Sequence, residues 1–310
     1  MTELKVGMIG IGNIGLPMAL CMLEHGVDLT VCDRNPEAVA KAQAGGASVA
    51  RTPKELADRC AVILASMPSL QASQEVALGE TGVIHGTAVR VYIETSTLGS
   101  VVIQKIAEGM QANGVGMIDA PVSGGPSGAR AGTLAIMASG AKTDFELAKP
   151  VLDTLASNLF YLGAKPGISQ VAKVINNHIS AAARLATFEG LAMGVKAGLD
   201  LKVLNDVLNA GTARNHTTTH KVPAAILTGT FKLNNSLNVG LKDEALLLEE
   251  AEHYDAAMWT GPRILEFYRE AAAAGYRDED SMKAFLYIQS QSFEDSPGMA
   301  QEWADAKASE

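Results

Sequence analysis

Glycines at positions 10, 12 and 15 follow directly on an apolar run, in Gly10-Ile11-Gly12-Asn13-Ile14-Gly15. That spacing suits a pyrophosphate cradle. The first glycine makes the turn, the second lets the backbone approach the anion, and the third packs a helix against a sheet, with the helix N-terminus facing the negative charge. Asp33 lies eighteen residues after Gly15, at the end of the next apolar run. A carboxylate there accepts hydrogen bonds from the adenosine ribose hydroxyls, which favours NAD. Arg34 beside it can pair with a 2′-phosphate or stack on adenine, which leaves NADP open. Further on, His216 and His220 have the i,i+4 spacing of a metal pair, but the sequence offers no third ligand and no metal is expected. The polar residues 214–220 that contain them are expected to face a substrate cleft or an interdomain surface.

These residues need elements to hold them. Short β-type runs at residues 5–9, 29–32, 62–66, 89–94, 116–120, 134–138 and 159–162 alternate with helical patterns, the signature of βαβ units and a mostly parallel sheet. Asn35 before Pro36, and Thr52-Pro53-Lys54-Glu55 with its capping-box spacing, mark helix starts. After Gly163 the β-type runs vanish. Residues 169–196 read as one long helix, rich in alanine and small apolar residues on most faces, and so buried all round. Shorter helices are expected at residues 201–208, 241–252, 262–274 and 280–289. The implied architecture is an α/β Rossmann-type N-terminal domain over residues 1–163, joined by the long helix to an all-α domain over residues 164–295 that binds substrate and oligomerises. Residues 296–310 form a polar tail.

Composition narrows the function class. The chain has 310 residues, 47% of them hydrophobic, which is enough for two cores. Its net charge of -9, without a run of Lys or Arg, lacks the basic footprint that nucleic acid or an anionic membrane would require. Three cysteines, Cys21, Cys32 and Cys60, make neither a disulfide framework nor a metal motif and suit a reducing cytoplasm. The apolar residues 6–23 are interrupted by glycines and Pro17, unlike a secretory signal.

Four segments in this order resemble the β-hydroxyacid dehydrogenase family, the group of 3-hydroxyisobutyrate dehydrogenase and tartronate semialdehyde reductase. They are the Gly10 to Gly15 loop, Asp119-Ala120-Pro121-Val122-Ser123-Gly124-Gly125, Lys173-Val174-Ile175-Asn176-Asn177, and Lys242-Asp243. The resemblance covers nearly the whole chain. It implies that Ser123, Gly124 and Gly125 anchor a substrate carboxylate, for which a hydroxyl beside two unhindered amides is suited. It implies that Lys173 is the catalytic lysine, its pKa lowered toward a useful range by the apolar helix around it. Asn177, one turn further, would orient the lysine or the substrate. By the same resemblance Thr97, Met67 and Pro68 touch the nicotinamide side, and Lys242 closes over the cofactor. Two departures stand out: Ser100 where the family usually has proline, and Pro166-Gly167-Ile168-Ser169 where it has a Gly-Ala-Gly step.

The implied reaction is hydride transfer between NAD(P) and a small β-hydroxy acid or semialdehyde, with Lys173 as general acid–base. A decarboxylating sugar-acid dehydrogenase of the same superfamily fits less well, because no basic cluster suits a sugar phosphate. Imine reductases share the fold but generally lack the lysine. A nicotinamide-binding module without turnover has no use for a proton donor. A homodimer or homotetramer packed through the helical domain is expected.

Overall fold

The computed structural model describes residues 4–292, so the expected polar tail lies outside the described residues. The chain forms two compact units, one ending at Lys173 and the other beginning at Val174. In the first, elements alternate as β1 (Val6–Ile9), α1 (Gly15–Glu24), β2 (Leu29–Cys32), α2 (Pro36–Ala44), β3 (Ser48–Val49), α3 (Pro53–Ala57), β4 (Val62–Ala65), α4 (Leu70–Leu78), β5 (Val91–Glu94), α5 (Ser100–Ala112) and β6 (Gly116–Asp119). They continue as β7 (Val122–Ser123), α6 (Gly125–Ala131), β8 (Leu134–Gly140), α7 (Lys142–Leu155) and β9 (Ala156–Gly163). The sheet order is β3-β2-β1-β4-β5-β6-β8-β7, with β9 beside β8.

From β3 to β6 every pairing is parallel; β8 runs antiparallel to β6 and β7. Strand order reverses at β1, which lies between β2 and β4. That reversal opens a crevice at the carboxyl ends of the strands, where α/β sheets bind ligands. β1, β2, β4 and β5 are buried at every residue, because apolar clusters cover both faces of the sheet. This is why the runs read as continuously apolar rather than alternating.

Helix starts follow their local chemistry. Asn35 accepts from Glu37 N–H at 3.0 Å and Thr52 accepts from Glu55 N–H at 3.0 Å. Glu55 reaches back to Arg51 N–H at 2.8 Å, one residue before the usual capping-box donor.

The chain then enters α8 (Ile168–Lys196), followed by α9 (Leu201–Ala210), a π-helix over Thr217–Ile226, α10 (Leu237–His253), α11 (Gly261–Ala271) and α12 (Ala284–Ser292). The core of the second unit is built on Phe188, Leu191, Ile226, Leu237, Ile264 and Phe285. Phe188 meets Phe285 edge-on, with ring centroids 5.5 Å apart. Three sequence expectations are corrected here. First, α10 starts four residues before 241, since Asn238 and Gly240, weak helix formers, masked its first turn. Second, the expected helix over 262–274 ends at Ala271 and passes into a π-turn in which Gly275 has φ of 100°. Third, α8 is not buried all round: Ile175, Ile179 and Met193 are exposed, whereas its polar residues Gln170, Lys173, His178, Arg184 and Thr187 are buried. Those polar groups have partners, His178 with Glu244 and Arg184 with the Tyr268 hydroxyl among them, so their burial is not prohibitive. Among the described residues no helix is long and apolar enough to cross a membrane.

Candidate functional site

Each glycine of the first loop has its own reason. A Cβ on Gly10, whose φ is +80°, would lie 2.2 Å from Ser66 O; one on Gly15 would lie 1.9 Å from Gly10 O. Both are required by packing. A Cβ on Gly12 would meet no protein atom within 4 Å, so nothing inside the chain demands glycine there. What it keeps clear is the space in front of α1. That helix has Ile14 at its N-cap, no side-chain cap and no acid in its first turn, whereas α2, α3 and α4 are capped by Asn35, Thr52 and Ser69. An uncapped helix start beside an open glycine fits a pyrophosphate, and Asn13 is exposed at its mouth.

Asp33 is half-buried and is already engaged. Its Oδ2 accepts from Ile11 N–H at 2.7 Å and its Oδ1 from Asn35 N–H at 2.7 Å. It therefore holds the glycine loop against β2, and each oxygen keeps a second lone pair for a ribose hydroxyl. Arg34 is exposed and forms no ion pair among the described residues.

The loops after β4, β5 and β6 are bonded side by side. Met67 N–H donates to Ser96 Oγ at 2.7 Å, and Ser96 N–H donates to Glu94 Oε1 at 3.0 Å. Pro68 is exposed on the same loop and Thr97 is half-buried next to Ser96. Neither Ser96 nor Thr97 caps α5, whose N-cap is Gly99. Beyond β6, Ser123 ends β7, and Gly124 and Gly125 take φ of 136° and 65°, conformations that a side chain would strain. Both glycines are exposed, leaving a hydroxyl and a turn of unhindered backbone at the surface.

Two carboxylates are fully buried at the strand ends. Glu94 and Asp119 are register partners on β5 and β6. Burial raises Glu94 above the usual carboxylate range, partly offset by bonds from Ser96. Burial likewise pushes Asp119 up to about 7, against the lowering effect of bonds from Gln170 and Gly167, with the Glu94 charge adding to the rise. Gln170 Nε2 donates to Asp119 Oδ1 at 2.6 Å and to Ser96 O at 3.1 Å, while its Oε1 accepts from Leu98 N–H at 2.8 Å and Gly99 N–H at 3.2 Å. Gly167 N–H donates to Asp119 Oδ2 at 3.0 Å. Lys173, 7% exposed, follows Gln170 by three residues on α8. Sequence reasoning missed Gln170, Glu94 and Ser96. The one available signal was a glutamine, an acid and a serine at the edges of apolar segments.

In the second unit the structure brings Asn177 and Lys242 together through Asp243. Asn177 Nδ2 donates to Asp243 Oδ2 at 2.7 Å and Lys242 Nζ pairs with Asp243 Oδ1 at 2.7 Å. Beside them His178 bonds to Glu244, whose carboxyl is raised by burial, and its other ring nitrogen lies 3.1 Å from Thr260 Oγ1. The polarity of residues 214–220 goes largely into starting the π-helix: Asn215 Oδ1 accepts from Thr217 N–H at 2.7 Å, and Asn215 N–H donates to Thr218 Oγ1 at 3.0 Å. His216 and His220 stack with centroids 4.8 Å apart, and no metal-binding group of three His, Cys, Asp or Glu occurs among the described residues.

Comparison with known proteins agrees with this geometry. Residues 5–163 match the model of the NAD binding domain of 6-phosphogluconate dehydrogenase. Residues 167–288 match the NAD-binding domain of NADP-dependent 3-hydroxyisobutyrate dehydrogenase. The chain is 31% identical over 295 residues to the mitochondrial 3-hydroxyisobutyrate dehydrogenase of Mus musculus, covering 93% of this chain and 88% of that one. It is 31% identical over 283 residues to the NAD-dependent L-serine dehydrogenase of Pseudomonas aeruginosa, with 89% and 95% covered. A solved 3-hydroxyisobutyrate dehydrogenase from Salmonella typhimurium superposes with a TM-score of 0.83 at 27% identity, over 92% of this chain and 100% of that one.

Two outcomes are expected. Gly12→Ala should keep wild-type thermal stability but weaken NAD(P) binding by about tenfold or more, on the order of 1.4 kcal/mol. Gly15→Ala should instead lose stability by overpacking, roughly 1–3 kcal/mol. Titration of dinucleotide by fluorescence alongside melting curves checks both, and undiminished binding in Gly12→Ala would contradict the assignment of that space. The second concerns pH. Because the folded-state pKa of Asp119 is raised, the native state holds a proton that the unfolded chain has lost. Its contribution is present below the ordinary carboxylate range and is lost as pH rises through about 7. The wild-type advantage in Tm over Asp119→Asn should therefore be larger near pH 5 than near pH 8, and a pH-independent difference would refute it.

Proposed function

Since the chain belongs to the β-hydroxyacid dehydrogenase family and is a nicotinamide-dependent hydroxyacid dehydrogenase, we propose that it oxidises a small β-hydroxy acid, or reduces the matching semialdehyde, with Lys173 as general acid–base. The observation that carries this reading is the burial of Lys173 on the α8 turn that Gln170 fastens to the ends of β5 and β6. The L-serine and 3-hydroxyisobutyrate dehydrogenases to which the chain is similar share a substrate pattern, a carboxylate two carbons from a hydroxyl, and that pattern supports a small β-hydroxy acid as substrate.

Gly10, Gly12, Asn13, Ile14 and Gly15 would hold the pyrophosphate, Asp33 the adenosine ribose, and Met67, Pro68 and Thr97 the nicotinamide side. When bound, the dinucleotide supplies the acceptor or donor of the hydride. The remaining work falls to this chain's side chains. Ser123 Oγ and the amides of Gly124 and Gly125 bind the substrate carboxylate, which fixes the carbinol carbon. Lys173 Nζ takes the hydroxyl proton as the carbonyl forms and returns it in the reverse direction. Asn177, held by Asp243, orients the polar end of the substrate. Lys242, held by the same carboxylate, is the second unit's candidate for binding the cofactor.

The exposed apolar residues Ile175, Ile179 and Met193 of α8, with Val203 and Val207 of α9 and Trp259, fit a surface covered by a second copy of the chain. Light scattering should give a homodimer or homotetramer at micromolar concentration; a monomer would contradict it.

Lys173→Ala should lower turnover by roughly 10²-fold or more while dinucleotide affinity holds. Lys173→Arg should fail nearly as badly, because a guanidinium does not release its proton at working pH. Asn177→Ala should be milder. Measuring turnover, dinucleotide binding and Tm on the three variants separates chemistry from stability, and near-normal turnover in folded Lys173→Ala would end the proposal.

A further inference from the structure

We propose that Gln170 is a positioning residue for the dehydrogenase reaction, its carboxamide fixing Lys173, the Thr97 loop and the root of the Ser123 loop in one register. The inference rests on the reading of Lys173 as the acid–base group. A primary amide has two N–H donors and an oxygen with two lone pairs, and here all four are used. The donors go to Ser96 O and Asp119 Oδ1, the acceptor sites to Leu98 N–H and Gly99 N–H, at 2.6 to 3.2 Å. The side chain is fully buried, so none of these bonds is shared with solvent. Ser96, Leu98 and Gly99 flank Thr97 on both sides. Asp119 opens the Asp119 to Gly125 segment that contains Ser123. Gln170 itself sits one helical turn before Lys173 on α8.

One rigid amide therefore joins the three segments to which the reaction is assigned. Its orientation is also determined. Reversing it would set the amide oxygen against the Asp119 carboxylate and the Ser96 carbonyl, and two N–H groups against the N–H of Leu98 and Gly99. A structural glutamine of the same burial would stabilise the unit without affecting proton transfer, and that is the alternative to be tested.

Two substitutions distinguish them. Gln170→Met is close in length and breaks all four bonds. Gln170→Glu is nearly isosteric when protonated, its O–H donating to Asp119 and its carbonyl oxygen accepting from Leu98 and Gly99. When ionised it meets Asp119 on β6, whose register partner on β5 is Glu94, itself bonded by the Tyr92 hydroxyl, while Lys173 lies on its own helix. Turnover is measured with NAD and NADP and with whichever of 3-hydroxyisobutyrate, L-serine and L-threonate the wild type oxidises fastest. Each variant is compared with wild type at every pH so that titrations common to both cancel.

Gln170→Met should lose about tenfold or more in kcat, with KM for the dinucleotide changed by less than about threefold. For Gln170→Glu the kcat ratio to wild type should climb toward one as pH falls from about 9 to about 6, as the acid becomes able to donate. Folded Gln170→Met with kcat within about twofold of wild type, or a Gln170→Glu ratio that does not vary with pH, overturns the proposal. So does failure of Gln170→Glu to fold near pH 6, where it reproduces three of the four bonds. If Lys173→Ala keeps wild-type turnover, the acid–base reading falls and this inference with it. If Lys173→Ala loses activity while the Gln170 variants do not, only the positioning role is lost.

Discussion

The structure depends most on two buried carboxylates that must be satisfied. Asp119 and Glu94 stand side by side at the carboxyl ends of adjacent parallel strands, without accessible surface. Burying such groups is costly unless they are hydrogen-bonded or neutralised. The bonds come from the neighbourhood where chemistry is expected: Gln170 and Gly167 at the entrance to α8, and Ser96 on the loop after β5. A strong local demand for donors thus becomes a geometric constraint. It pins the start of a 29-residue helix to the sheet crevice and fixes where Lys173 leaves it.

The dinucleotide loop works on a different principle. Gly10 and Gly15 are dictated by backbone packing around the turn from β1 to α1, and Asp33 braces that turn with its carboxylate. Gly12 alone is left without an internal reason, and the helix behind it without a cap. The fold builds the loop, and a bound pyrophosphate would account for the remaining glycine. In the proposed reading Asp33 combines both functions, since the atoms that brace the loop would also be offered to the ribose.

Much of this was legible in the sequence because the signals were local. Fully buried strands such as β1, β4 and β5 appear as apolar runs, and the Gly10 to Gly15 spacing encodes a turn that few other residues can make. α8 appeared as a long apolar helix, correctly in extent and wrongly in exposure. Composition does not reveal that His178, Arg184 and Thr187 find partners 28 to 84 residues away and so face inward, leaving Ile175, Ile179 and Met193 outside. Gln170 was overlooked for the same reason. At the start of a helix a glutamine looks like any good helix former, and its partners lie 51 to 74 residues earlier in the chain. The π-helix over Thr217–Ile226 was missed because Pro223 and a run of threonines argue against any regular helix, whereas Asn215 starts one by capping.

The central claim is that these strand-end loops and the buried lysine make a nicotinamide-dependent oxidation of a small β-hydroxy acid. Its most direct test is the near-ultraviolet absorbance of reduced nicotinamide, followed while purified wild-type protein is mixed with NAD or NADP and each of 3-hydroxyisobutyrate, L-serine and L-threonate in turn. The account predicts substrate-dependent growth of that absorbance with at least one acid, faster with NAD than with NADP. Protein that binds the dinucleotide yet reduces it with none of these acids, and oxidises the reduced form with none of the matching carbonyl compounds, would contradict it.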